Sequence, residues 1–355
     1  MLWSRSKSII ALDIGSSNVK LLEMDETKDG QVNLVNFGMV DLPPEAIVDG
    51  SIMNTASVVD AISELLQKHR VRGKEVVTSV SGHSVIIKRV NLPLMSEEEL
   101  EESIQWEAEQ YIPFDVSEVN IDVQILDAQG DEAGQMEVLL VAARKEMINE
   151  YVSLIHEVGL APAVIDVDAF AVANAFEANY DLPDETVVLC NIGASTVNIN
   201  VLRDGLTVFT RDLGMGGRQV TEEIQRTLNI SFEQAESMKV GGDERDAAAV
   251  VPEEILQIVK SLSDSIATEI QRSLDFYLST STDSSIGRMF LSGGGARTPG
   301  LAAAIGKATG INIELMDPFR RVNIDERTFN PNFLEGVAPQ AAVAVGLALR
   351  KAADR

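Results

Sequence analysis

Two distant stretches of the chain repeat one pattern of apolar and polar positions. Ile9-Ile10-Ala11-Leu12 runs apolar into Asp13-Ile14-Gly15 and Ser16-Ser17-Asn18, and the apolar run resumes at Val19. Val187-Val188-Leu189-Cys190 runs in the same way into Asn191-Ile192-Gly193 and Ala194-Ser195-Thr196, and resumes at Val197. Each predicts a buried strand, a tight turn and a returning strand. Such a turn points backbone N–H groups and hydroxyls at one spot, the chemistry that a phosphate group needs. Two copies facing each other would clamp a polyphosphate between two halves of the molecule.

The pattern between and after these hairpins predicts the remaining elements. Alternation over 31–40 and short apolar runs elsewhere predict strands over 31–40, 76–80, 85–90, 119–126, 137–142, 163–168, 207–212 and 289–291. Apolar residues at helical spacing predict helices over 55–69, 145–158, 218–228, 231–239, 253–279 and 301–309, with Ala-rich helices over 169–179 and 338–350. Ser96 with Glu99 forms a capping box that opens another helix, whose apolar stripe is Leu100, Ile104, Ala108 and Tyr111. The division that follows is a first domain over 1–84 with the C-terminal helix 338–355 and an inserted α+β subdomain over 85–160. A second domain covers 161–337, its smaller helical part at about 218–285.

Length and charge sharpen this picture. A chain of 355 residues exceeds one ordinary core. The net charge of −26 argues against a nucleic-acid surface, which selects clustered Lys and Arg. It also argues against direct contact with anionic lipid. No run of apolar residues approaches a membrane span. The start of the chain carries no signal-peptide pattern, and the single cysteine, Cys190, lies in an apolar strand. The expectation is a cytoplasmic protein that comes near a membrane only through a partner. No Gly-x-x-x-x-Gly-Lys-Ser/Thr loop and no zinc-type ligand spacing is present.

A third glycine turn, Ser292-Gly293-Gly294-Gly295-Ala296-Arg297, follows a predicted strand. One such turn is weak evidence, but the ordered set of three resembles the actin/Hsp70/sugar-kinase ATPase fold. The fold class that this implies is α/β, two ribonuclease-H-like domains around an ATP cleft. Glu107-Ala108-Glu109-Gln110-Tyr111-Ile112-Pro113-Phe114, Val138 to Glu146 and Gly217 to Ile224 carry a closer resemblance to the FtsA-related PilM family of type IV pilus assembly. No apolar tail follows the last predicted helix, which sets the resemblance nearer PilM than FtsA.

The resemblance implies ATP and Mg²⁺ as cofactors. It places phosphates at Gly15, Ser16, Ser17, Asn18 and Lys20 and at Gly193, Ala194, Ser195 and Thr196. It assigns the nucleotide cleft to Gly216 and Gly217, adenosine to Gly293, Gly294, Gly295 and Arg297, and ribose and adenine to Glu236 and Lys239. Asp13 is the implied metal residue and, with Asn191 and Asp168, the implied catalytic set. Asn191 stands where the fold usually has aspartate, removing one negative charge from the metal's surroundings. Asp168 either orients a catalytic water or caps the helix that follows it.

Two functional readings stand at this point, with an FtsA-like cell-division role behind them. One is an ATP-binding scaffold that docks the N-terminal cytoplasmic tail of the inner-membrane protein PilN, and other pilus motor-complex proteins with it. The other is an ATPase whose hydrolysis cycle drives conformational change. Tyr111 to Phe114 reads either as the plug of the inserted core or as a partner groove. The glutamate-rich face beside it, with seven glutamates and no basic residue from Ser96 to Glu109, suits a basic juxtamembrane tail.

Overall fold

The duplicated hairpins become the centres of two sheets with one topology. A computed structural model of the chain describes residues 9–127, 134–181, 185–240, 252–281 and 285–350. The predicted turn between the inserted strands, the stretch before Ile9, the link from 241 to 251 and the residues beyond Arg350 lie outside these.

In the first half β1 (Ile10–Ile14), β2 (Asn18–Glu26) and β3 (Val32–Asp41) form an antiparallel meander. A two-residue ribbon, β4 (Ile47–Val48) and β5 (Ser51–Ile52), leads to helix α1 (Thr55–Lys68). Strand β6 (Glu75–Val80) then lies parallel to β1. The chain next leaves this sheet as β7 (Val85–Pro93), α2 (Glu97–Ala108), β8 (Val119–Asp127) and β9 (Gln135–Arg144). These close a three-stranded sheet, order β7-β9-β8, on the apolar stripe of α2. The predicted capping box is present: the Ser96 hydroxyl accepts from Glu99 N–H, and Ser96 N–H donates to the Glu99 carboxylate.

Helix α3 (Lys145–Glu157) and strand β10 (Ala161–Val167) fall elsewhere than the sequence division put them. Met147, Tyr151, Leu154 and Ile155 of α3 are buried with α1 in the first-half core, so the compact insertion ends at about Arg144. Strand β10 pairs in parallel with β6, and the first sheet reads β10-β6-β1-β2-β3. Periodicity alone cannot say which sheet a short parallel strand joins, because that choice is made by long-range pairing.

Helix α4 (Asp168–Asn179) crosses to the second half. There β11 (Val187–Ile192), β12 (Val197–Arg203) and β13 (Leu206–Leu213) repeat the antiparallel meander. The helices α5 (Gly217–Leu228), α6 (Phe232–Lys239) and α7 (Glu253–Thr280) intervene. Strand β14 (Arg288–Ser292) then pairs in parallel with β11. After α8 (Leu301–Thr309), β15 (Asn312–Leu315) pairs in parallel with β14. The second sheet, β13-β12-β11-β14-β15, therefore has the connectivity of the first. The last described elements are α9 (Pro331–Val337), a 3-10 turn at Ala338–Ala341 and α10 (Ala342–Ala348).

Both sheets are covered on both faces, which explains their unbroken apolar strands. Alternate residues part to opposite sides. Ile10, Leu12 and Ile14 meet α1 and α3, while Ala11 and Leu22 face the centre of the molecule. Val188, Cys190 and Ile192 meet α7 and α8, while Val187 and Leu189 face the centre. That shared central core is built on α4 and α10. The two helices cross so closely that a Cβ on Gly346 would lie 1.7 Å from the Ala171 carbonyl oxygen. Buried Asn200 fixes α4 to the second sheet by donating to the Ala169 carbonyl at 3.0 Å.

Candidate functional site

The two hairpin turns are built alike, and Arg218 touches both, so the cleft between the halves is the space between these turns. Gly15 N–H donates to the Asn18 carbonyl at 3.1 Å, and Gly193 N–H to the Thr196 carbonyl at 2.8 Å. One hydrogen bond thus closes each turn around its small hydroxyl residues. The glycine turn before α5 docks on the second hairpin turn: Gly217 N–H donates to the Gly193 carbonyl at 3.0 Å and Arg218 N–H to the Ala194 carbonyl at 2.8 Å. Gly295 Cα lies 3.4 Å from where a Cβ on Gly217 would be, so the third turn meets the same point. Gly293 has φ +85°, and a Cβ there would sit 2.3 Å from the Ile192 carbonyl oxygen, so glycine is required. Arg297 ends that turn exposed to solvent.

The two halves differ in what faces the polar residue at each strand end. Asp13 lies opposite Lys20 in the β1–β2 register, and their ion pair is 2.9 Å long with both side chains buried. Asn191 lies opposite Asn198 instead, and the Asn191 side-chain oxygen accepts from Ser292 Oγ at 3.2 Å. Asn198 passes the row on to β13, donating to Asp212 at 2.6 Å. Asp212 also accepts from Gly82 N–H at 2.8 Å, a bond between the two halves. The second-half carboxylate thus stands two strands away from the position where the sequence suggested its loss.

Asp168, at the start of α4, joins this group. Ser79 Oγ donates to it at 2.6 Å. Burial, and then the Asp13 charge, push its pKa up to about 6; hydrogen bonds from Ser79 and Ser81 oppose the shift and Asp212 adds to it. Asp166, the other acidic residue of the crossover, is turned away and lies 2.8 Å from Arg350. Tyr151 of α3 lies beneath the cluster: burial first, then the Asp168 and Asp13 charges, raise its phenol pKa. Among the described residues no group of three or more His, Cys, Asp or Glu side chains is gathered closely enough to hold a metal ion unaided.

On the far side of the cleft Lys239 is buried and fully engaged. Its ammonium donates to the Glu236 carboxylate at 2.7 Å, to Thr221 Oγ1 at 3.0 Å and to the Gly217 carbonyl at 3.2 Å. Thr221 in turn donates to Glu236. This network locks α6 onto α5 and leaves the Glu236 side chain partly exposed. The sequence reading missed Asp212, Ser79 and Ser81, which sit at strand ends. Only the strand register, not spacing along the chain, brings them to the site.

The profile of the family described as type IV pilus assembly protein PilM matches residues 11–352. The chain belongs to the PilM family. A solved structure of a PilM-PilN type IV pilus biogenesis complex superposes with a TM-score of 0.86 and 31% identity, covering 98% of each chain. MreB5 of Spiroplasma citri, solved with AMPPNP, shares the fold at 13% identity, with a TM-score of 0.51 over 96% of this chain and 95% of that one. These neighbours establish the actin-like fold. The cell division protein FtsA of Bacillus subtilis is 25% identical over 65% of this chain, a match spanning 57% of FtsA.

This PilM-family chain also has a cavity in its insertion. About 370 Å³ opens between the C-terminal end of α2 and the turn after it, lined by Gln105, Trp106, Glu109, Phe114, Asp115 and Val116. Of the Tyr111 to Phe114 cluster, Ile112 is buried in the inserted core, while Phe114 faces the cavity and packs under Arg144 at 5.5 Å. Tyr111 and Phe114 are also packed, partly buried, against that core, as the plug reading expects. Trp106 is 77% exposed. Among the described residues no helix is long and apolar enough to cross a membrane.

Proposed function

We propose that the chain is an ATP-binding scaffold of the type IV pilus inner-membrane assembly complex, docking the N-terminal cytoplasmic tail of PilN. The observation that carries the reading is the convergence of two like-built glycine turns on one cleft in a chain of the PilM family. In this reading the turns at Gly15–Asn18 and Gly193–Thr196 hold the phosphates, with Lys20 beside them. Glu236 and Lys239 frame the adenosine. The solved PilM-PilN complex supports the partner, and tail docking would hold the protein at the inner membrane.

Mg²⁺ fits the donor set as a nucleotide-borne ion. Asp13 and Asp168 offer hard carboxylate oxygens and Asn191 an amide oxygen, too few for a protein cage but suited to water-mediated contact. Asp13 would hold the ion's hydration shell, and the ion would neutralise phosphate charge.

One observation favours a second reading, a cycling ATPase. A carboxylate with pKa near 6 at the cleft, as at Asp168, is tuned for proton transfer from water. Against it, Asn191 lacks the charge that aspartate would bring, and its oxygen is already engaged by Ser292. Analysis of co-purified nucleotide and single-turnover hydrolysis of bound ATP, with and without PilN tail peptide, test the choice. The scaffold predicts bound ATP, negligible turnover and a tail affinity that depends on nucleotide, with Asn191→Asp raising turnover. Steady wild-type turnover accelerated by the peptide would overturn it.

A further inference from the structure

Arg218 spans the cleft. It lies in the first turn of α5 in the second half, and its guanidinium donates to the carbonyl of Ser16 in the first hairpin turn. Its backbone N–H is meanwhile spent on the Ala194 carbonyl of the second turn. One residue therefore touches both turns, by backbone on one side and side chain on the other. Its Nε is buried and has no hydrogen-bond partner. A buried donor left without an acceptor has given up its hydration with nothing in return. A guanidinium with one arm on a carbonyl and one donor unused is poised for an acceptor with several oxygens, and a phosphate supplies them in the planar, two-pronged geometry that guanidinium matches.

We propose that Arg218 is the phosphate-reading latch of the cleft. Without nucleotide it ties the second half to the Ser16 carbonyl. With a nucleoside di- or triphosphate in the cleft, the phosphate oxygens take the guanidinium, including its unused Nε. Arg218 thereby sets preference for polyphosphate over nucleoside and couples occupancy to the fit between the halves. Gly82 N–H on Asp212 is a further bond between the halves that does not involve the two hairpin turns, and the shared central core joins them as well, so removing Arg218 loosens the halves without parting them.

The inference rests on the nucleotide reading above, and its test separates the two. Binding of ATP, ADP, AMP and adenosine is measured by calorimetry on wild type, Arg218→Ala and Arg218→Lys. Spin labels at Glu64→Cys and Lys307→Cys, both exposed, report the distance between the halves without nucleotide; the native Cys190 is buried. Loss of one charge-assisted contact predicts that Arg218→Ala weakens ATP and ADP by about tenfold or more and leaves adenosine unchanged. Arg218→Lys, which keeps the charge but not the fork, falls between. The label distance broadens in Arg218→Ala. Equal losses for ATP and adenosine, or none for either, overturn the phosphate role, and an unbroadened distance overturns the latch. A wild type that binds no adenine nucleotide overturns the proposed function and the phosphate role together, while the label distance still judges the latch. Should Arg218→Ala not fold, Arg218→Lys and Arg218→Gln carry the same comparison.

Discussion

At the scale of single residues, the cleft holds charge at a cost to stability. Asp168 binds its proton more tightly folded, with a pKa of about 6 against an ordinary 3.8. A raised carboxylate pKa means that the folded state holds more protons between those values, so stability falls as pH rises from about 4 to about 6. Two units correspond to roughly 2.7 kcal/mol, reduced by the side chain's remaining contact with water. Asp168→Asn keeps the Ser79 hydrogen bond and removes the charge. Urea unfolding of the nucleotide-free protein should show it more stable than wild type by up to about 2 kcal/mol at pH 7, with the gap closing towards pH 4. A gap independent of pH would contradict this account. Lys20 presents the opposite case, because its loss leaves the Asp13 carboxylate buried without a counter-charge. Lys20→Ala should cost about 3 kcal/mol by the same measurement, and adding Asp13→Asn should return most of it.

At the scale of elements, the crossing of α4 and α10 decides how closely the two sheets approach. Gly346 is needed there because any Cβ would strike the Ala171 backbone. Gly346→Ala should lower stability by about 2 kcal/mol or more, read as a drop in thermal midpoint. An unchanged midpoint would mean that the helices part freely. Both helices were legible in the sequence as Ala-rich helices, though not their crossing, and the apolar runs ending at Asp13 and Asn191 announced buried strands. The capping box at Ser96 was legible too, since it is a local hydrogen-bond pattern. What local pattern cannot carry is long-range pairing. Strand β10 belongs to the first sheet through β6, and α3 to the first core through α1, by contacts that spacing along the chain does not encode. Asp212 escaped for the same reason: it joins the site across β12, through Asn198.

At the scale of the whole molecule, the paired hairpin turns and the insertion belong to separate units with separate cores, joined through β7 and α3. A partner seated on the insertion can therefore be weakened without disturbing the cleft. The insertion presents a cavity with Trp106 and Phe114 as its apolar surfaces and Glu109 and Asp115 as its acidic ones, next to a helix whose exposed face is rich in glutamate. A basic tail emerging from a membrane would be drawn to that face from a distance and then anchored by the aromatic surfaces. The two contributions respond differently to salt, because screening acts on exposed charges and hardly on buried apolar area. Reversing charge with Glu107→Lys and Glu109→Lys should weaken binding of the PilN tail peptide by about tenfold at low ionic strength and by much less at high salt. Trp106→Ala should weaken it at every salt concentration. Both variants should bind ATP as wild type does. Calorimetry with the peptide and with ATP at two salt concentrations decides the matter, and tail affinity unchanged in all three substitutions would place the docking surface elsewhere on the molecule.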